Sequence, residues 1–138
     1  MKKNNTDALC RILDANFNRT KEGLRVCEDV CRFVLDDRKL TSSYKQARHK
    51  IKNISGLLGV SDLIACRDII NDIGKGTSDT EKKRKNFHDI FFANSQRVKE
   101  SLRVLEEVAK IKDENTSSFF KKLRYKVYEL EKKAAAKI

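Results

Sequence analysis

The sequence predicts an all-α protein, an antiparallel helical bundle built from two duplicated helical hairpins with a short inserted helix and loop between them. Residues 15 to 30, ANFNRTKEGLRVCEDV, return without a gap as residues 93 to 108, ANSQRVKESLRVLEEV, with ten of the sixteen positions identical. Residues 44 to 54 line up in the same way with residues 120 to 130, so each half reads as two helices joined by a short turn. The chain has no proline, five glycines and 37% charged residues, with a mean hydropathy of -0.64, which favours long exposed helices over a sheet. A length of 138 residues fits one helical domain, 1–138, able to bury a single core. Hairpin one covers about 6–58, the connecting segment about 59–79, and hairpin two about 80–137.

The first helix is expected from Thr6, a plausible N-cap, to about Asp36. The second begins near Thr41, Ser42 and Ser43, and its Leu40, Tyr44, Ala47, Ile51, Ile54 and Leu58 recur at steps of four and three, the spacing of a packed seam. Ser61 can cap a short helix through Asn71, followed by a Gly74–Ser78 loop. A third long helix is expected over about Asp79 to Lys112, started by a capping box of Ser78 and Glu81. The last helix, after the cap region Asn115, Thr116 and Ser117, repeats the seam with Phe120, Leu123, Val127, Leu130 and Ala134.

The formal charge of +11 is spread evenly: residues 1–69 carry 14 basic and 9 acidic groups, and residues 70–138 carry 17 and 11. Without a basic tail or cluster, this argues against a nucleic-acid partner and suits an anionic small molecule. The runs KKRK at 82–85 and KKLRYK at 121–126 read as solvated helix faces. No apolar stretch reads as a signal peptide or membrane span, so the expectation is a cytoplasmic protein with no membrane partner. Cys10, Cys27, Cys31 and Cys66 lack C-x-x-C spacing and read as reduced core residues, and His49 and His88 stand too isolated for a metal pair. The oligomeric state is not legible.

Placed on a wheel of 100° per residue, Asn16 and Asn94 fall inside the apolar arc of the long helices, with Arg19 and Arg97 at its edge. The asparagines either bind a ligand or fix helix register. Glu22, Arg25 and Glu28, with their repeats Glu100, Arg103 and Glu106, suit either the same site or an intrahelical ion-pair ladder. Asp68 and Asp72, four apart on a helical face, suit magnesium, although solvated carboxylates also take this spacing. Gly74, Lys75 and Gly76 could cradle a phosphate or serve as a plain connector.

The stretches RILDANFNRTKEGLRVCEDVCRF, ACRDIINDIG, ANSQRVKESLRVLEEVAK and LRYKVYELE resemble the small hydroxymethylpyrimidine phosphate kinase of thiamine biosynthesis, a family also found fused ahead of thiamine phosphate synthase. The most specific elements are the doubled A-N-x-x-R-x-x-E-x-L-R-V-x-E motif and the segment holding Arg67, Asp68, Asp72 and Gly74. The expectation is the stand-alone form of the family, without the synthase barrel. The family often has a threonine where this chain has Ile69, and that position takes no role. The resemblance implies ATP-dependent phosphorylation of hydroxymethylpyrimidine phosphate to the diphosphate, with ATP and Mg2+ as cofactors. Under that reading Arg19, Arg97, Arg67 and Lys75 meet phosphates and Asp68 and Asp72 hold magnesium. Asn16 and Asn94 contact the pyrimidine or a phosphate, Glu22 and Glu100 orient the arginines, and Arg124 reaches the same cleft. A non-catalytic module binding thiamine intermediates, or assisting a synthase, shares every motif; a helical nucleic-acid binder accounts for the charge alone.

Overall fold

The computed structural model describes residues 5–57, 59–76 and 83–138, and every regular element among them is helical. Helix α1 (Asn5–Asp29) continues into a π-helical turn (Val30–Val34), and α2 (Arg38–Leu57) completes the first hairpin. A six-residue α3 (Val60–Ala65) follows. Helices α4 (Phe87–Ala109) and α5 (Glu114–Ala135) form the second hairpin. The seams on α2 and α5 turn inward as their spacing requires, burying Tyr44, Ala47 and Ile51 from one and Phe120, Leu123, Val127, Leu130 and Ala134 from the other. Rings join the hairpins: Phe17 lies 5.9 Å from Phe120 and Tyr44 lies edge-on to Phe91 at 6.3 Å.

Several element ends differ from expectation, each for a local reason. The first helix stops short of Asp36, which takes a left-handed φ of 49°, and the Asp37 amide returns to the Cys31 carbonyl at 3.0 Å. Helix α2 then starts earlier than the Thr41–Ser43 cluster, because the Asp37 carboxylate accepts the Leu40 amide at 2.8 Å. That carboxylate sits below the usual aspartate pKa, held there first by the Leu40 amide and then by Lys137. The short helix has Gly59 at its N-cap, with φ of 81°, and ends at Ala65, so residues up to Asn71 are not helical as expected from a Ser61 cap. Leu58 and the proposed Ser78–Glu81 capping box lie outside the described residues.

Residues 83–85 are not helical, which corrects the placement of the KKRK run and the expected start near Asp79. Instead Asn86 caps α4 by accepting the Asp89 amide at 2.9 Å, while Asp89 accepts the Lys85 amide at 3.1 Å. On α5 the cap is Asp113 rather than Asn115–Ser117; it accepts the Asn115 amide and the Thr116 hydroxyl.

Helices α1 and α4 are the central antiparallel pair, and their contact comes in two related halves. Thr20 and Ser101 share a buried hydroxyl hydrogen bond of 2.7 Å. The repeat counterparts of these residues, Val98 and Gly23, meet on the other side of the crossing. A methyl group added at Gly23 would stand 2.6 Å from Val98 Cγ2 and 3.0 Å from the Asn94 carbonyl oxygen. Gly23 and Ser101, small residues at matching repeat positions, thus both lie in the α1–α4 contact.

Charged clamps repeat the same relation. Buried Glu28 pairs with Arg48 of α2 at 3.2 Å and with Arg25 at 3.3 Å. Buried Glu106 pairs with Arg124 of α5 at 3.0 Å and with Arg103 at 3.2 Å. Burial opposes the charge on Arg124, yet the hydrogen bonds and charge of Glu106 still raise its pKa above the ordinary arginine value. Removing either the α2 or the α5 arginine would leave a buried carboxylate with only its half-exposed intrahelical arginine, a loss below the roughly 3–5 kcal/mol of a fully stranded charge.

The close approach at Gly23 yields a stability prediction. Gly23→Ala gains about 1 kcal/mol of helix propensity but overpacks the crossing by about 1–3 kcal/mol, so chemical denaturation should show net destabilisation. In a Val98→Ala background the clashing Cγ2 is gone while the Asn94 carbonyl oxygen still stands 3.0 Å from the added methyl, so the same substitution should cost less than it does in the wild type.

Candidate functional site

The crossing leaves one face of α1 and α4 away from the core, and the connecting segment after α3 lies across part of it. A buried charge fastens that segment. Arg67 donates from Nε to Asp14 Oδ2 at 2.6 Å and from its Nη2 to Asp14 Oδ1 at 2.8 Å, a bidentate pair. The hydrogen bond to Asp14 is the main reason the Arg67 pKa is raised. Asp14 is 7% exposed, whereas its repeat counterpart is Phe92. The pair thus exists in one half only, where the insert needs an anchor.

Two adjoining clefts result, and Asn16 and Arg19 line both. One, of about 550 Å³, adds Ile12, Asp14, Arg67, Asp68, Ile69 and Asp72. The other, of about 480 Å³, adds Gly74, Lys75, Gly76, Arg97, Glu100 and Val104. Asn16 is buried and fixed in orientation: its Nδ2 donates to the Ile12 carbonyl at 2.8 Å, and its Oδ1 accepts from Arg19 at 3.4 Å. Asn94 makes the matching bond to the Ile90 carbonyl at 2.8 Å, but it lines neither cleft.

Of the residues singled out from the sequence, Asn16, Arg19, Arg67, Lys75, Asp68, Asp72, Arg97 and Glu100 are thus brought to one region. They occupy two neighbouring clefts, joined through Asn16 and Arg19, rather than the single cavity expected. Glu22 is exposed and lines neither cleft. Arg124 is drawn to Glu106 and lines a further cleft with Gln96, Lys99, Arg103 and Tyr128, which adjoins the Arg97 cleft through Glu100.

Electrostatically, Arg19 and Arg97 differ from the arginines of the clamps. Both are exposed and neither forms an ion pair among the described residues, whereas Arg25, Arg48, Arg67, Arg103 and Arg124 all face carboxylates. Lys75 donates to the Ile70 carbonyl at 3.0 Å and lines the same cleft as Arg19 and Arg97. Asp68 accepts from Asn71, and Asp72 accepts the Gly74 amide at 2.8 Å, so each carboxylate shapes the loop as well as lining the cleft. No group of three or more metal-binding side chains occurs among the described residues. A pair of carboxylates facing arginines still fits magnesium, which takes one or two protein carboxylates and completes its shell with phosphate and water.

The cysteines play no part in this chemistry. All four are free; Cys27 and Cys31 are buried, and burial pushes Cys31 up to about 11. Cys10 and Cys66 are only half-buried, which corrects their placement in the core. Asp14, Arg48 and Asn86 were missed from the sequence. Asp14 could have been found as a charge standing where the repeat has phenylalanine, and Arg48 as the repeat partner of Arg124.

The chain matches the ThiD2 family over residues 11–133. It is 42% identical over 132 residues to a thiamine-phosphate synthase of Synechocystis sp., covering 95% of this chain and 37% of that protein. A thiamine-phosphate synthase of Thermosynechococcus vestitus is 41% identical over 124 residues, 89% of this chain and 34% of the relative. One from Rhodopirellula baltica is 37% identical over 130 residues, 91% and 35% respectively. The chain therefore spans about a third of the length of these curated relatives. No solved structure matches it. Among the described residues no helix is long and apolar enough to cross a membrane.

The Asp14–Arg67 pair makes the segment's attachment testable. Asp14→Asn should loosen residues 67–76 and speed limited tryptic cleavage after Lys75 severalfold, while the helical melting transition changes little. Unchanged cleavage would show that other contacts hold the segment.

Proposed function

The chain belongs to the ThiD2 family, and we propose that it is the kinase that phosphorylates 4-amino-5-hydroxymethyl-2-methylpyrimidine phosphate to the diphosphate with ATP. One observation carries the reading: the repeat arginines Arg19 and Arg97, free of carboxylate partners among the described residues, line one cleft together with Lys75. The thiamine-biosynthesis context is supported by the family and by the names of the relatives.

In this reaction an oxygen of the substrate phosphate attacks the terminal phosphorus of ATP. The bond from that phosphorus to the bridging oxygen breaks, and ADP leaves with the electron pair. An anionic phosphate oxygen needs no general base, so a site without histidine, serine or cysteine machinery is adequate. What it must supply is alignment of two polyanions and relief of their repulsion. Arg19, Arg97 and Lys75 provide positive charge in one cleft, and Arg67, steadied by Asp14, provides it in the next. Asp68 and Asp72 would hold the magnesium ion, which when bound neutralises phosphate charge. Asn16, locked by the Ile12 carbonyl, keeps Arg19 directed across the groove.

A second reading follows from the length comparison. Because the chain aligns with about a third of each synthase, it could act there as a binding module without turnover of its own. Phosphorus NMR of the purified chain with ATP, magnesium and the pyrimidine phosphate separates the two. The kinase reading predicts a new diphosphate signal together with ADP; binding without turnover would favour the accessory reading. Arg97→Ala should lower turnover by on the order of a hundredfold, the scale for losing one preorganised donor, with an unchanged circular dichroism spectrum. Unchanged turnover would remove Arg97 from the mechanism.

A further inference from the structure

Beyond the arginine centre, the α1–α4 face carries an apolar cleft that no described residue of the connecting segment lines. Its walls are Val26, Val30, Phe33, Val34, Phe87 and Ile90, with Asp29 at one edge, and its volume is about 570 Å³. Phe33 and Phe87 are 66% and 56% exposed, an unfavourable placement for two aromatic rings unless something covers them. The π-helical turn supplies Val30, Phe33 and Val34 to the same cleft.

The cleft lies on a stripe that runs through the proposed site. On α1, Ile12, Arg19 and Val26 are seven residues apart and so share one face. On α4 their repeat counterparts Ile90, Arg97 and Val104 do the same. The antiparallel pair therefore forms a groove with an arginine from each helix at its middle and apolar side chains at both ends. One end holds Ile12 beside Ile69 of the insert, and Val104 lines the adjoining cleft. The other end holds Val26 and Ile90 in the apolar cleft. Seven residues of helix separate Val26 from Arg19 and Ile90 from Arg97, a distance of about 10 Å. A ribose and a polyphosphate can bridge that gap.

We propose that the apolar cleft between Phe33 and Phe87 is the subsite for the nucleobase of the phosphoryl donor, whose phosphates run along the groove to Arg97 and Arg19. The inference rests on the kinase reading, since both substrates of that reaction consist of an aromatic heterocycle and a phosphate. To transfer phosphoryl between them, the phosphates must meet and the rings must lie apart. A two-fold-related groove with charge at the centre and apolar ends has this arrangement. The insert separates the ends chemically: polar and charged groups line the Ile12 end, while the other is almost wholly apolar and offers two exposed aromatic rings. The larger, flatter purine fits the aromatic end, and the small aminopyrimidine fits the end with hydrogen-bonding groups.

The test is calorimetric titration of the full chain with magnesium ATP, inorganic tripolyphosphate and the pyrimidine phosphate, paired with the turnover assay. Two variants change the cleft in different ways: Phe33→Ala/Phe87→Ala removes its rings, and Val26→Trp fills it. Circular dichroism melting confirms that each folds. The expected result is a loss of about tenfold or more in ATP affinity in both variants, with tripolyphosphate and pyrimidine phosphate binding within twofold of wild type. Unchanged ATP affinity in both folded variants, in a wild type that turns over, would overturn the subsite and leave the kinase reading standing. Cleft-dependent ATP binding without turnover would support the subsite and sink the kinase reading. A wild type that neither binds ATP nor turns over would overturn both. Loss of self-association in the variants with ATP affinity intact would assign the cleft to a second copy of the chain and overturn the proposal.

Discussion

Everything else in this structure depends on how closely α1 and α4 approach each other. The approach is steric in origin: Gly23 leaves no room for a methyl group against Val98 and the Asn94 carbonyl. On the related side, the Thr20 and Ser101 hydroxyls satisfy each other in the buried contact. Since the two helices are copies, whatever one presents to the groove the other presents in reverse order. An arginine from each copy thereby comes to the middle of one surface, although 78 positions separate Arg19 and Arg97 in the chain. Duplication with a tight crossing converts a single motif into a two-sided site.

The excess of basic residues serves two physical ends that the total charge does not distinguish. Arg48 and Arg124 are spent on the buried carboxylates of Glu28 and Glu106, tying each outer helix to its long neighbour. Their loss would be felt as instability. Arg19 and Arg97, without carboxylates among the described residues, leave charge at the surface for an anion. The insert then breaks the two-fold relation through Asp14 and Arg67, adding carboxylates to one end of the groove and Lys75 beside the arginines, while none of its described residues lines the apolar end. The proposed kinase reaction, with two different ligands, needs such an asymmetry; a strictly symmetric groove would treat both ends alike.

The all-α class and the seams of α2 and α5 were legible because periodicity and repetition record burial directly. Helix ends were less so. Asp37, Asn86 and Asp113 compete as caps with nearby serines and threonines, and only the backbone path decides which side chain meets a free amide. Of the site, the doubled Asn and Arg were legible as polar positions near an apolar arc. The ion pair of Arg124 with Glu106 was not legible, because the two residues meet only in three dimensions. Asp14 was missed for the converse reason, since its partner lies 53 residues away in the one segment without a repeat. Resemblance supplied the reaction; the residues alone supplied an anion site.

The groove explains why a small helical bundle without nucleophile or general base would suffice for phosphoryl transfer between two phosphates: the work is positional and electrostatic, and a pair of crossed helices can do it. The decisive requirement is that Arg19 and Arg97 act on the same phosphate assembly. A double-mutant cycle on kcat/KM with Arg19→Ala, Arg97→Ala and the double variant measures this directly. Shared action predicts a coupling energy of about 0.5–3 kcal/mol between the two positions. Effects that add within about 0.3–0.5 kcal/mol would place the arginines in independent sites and contradict the account.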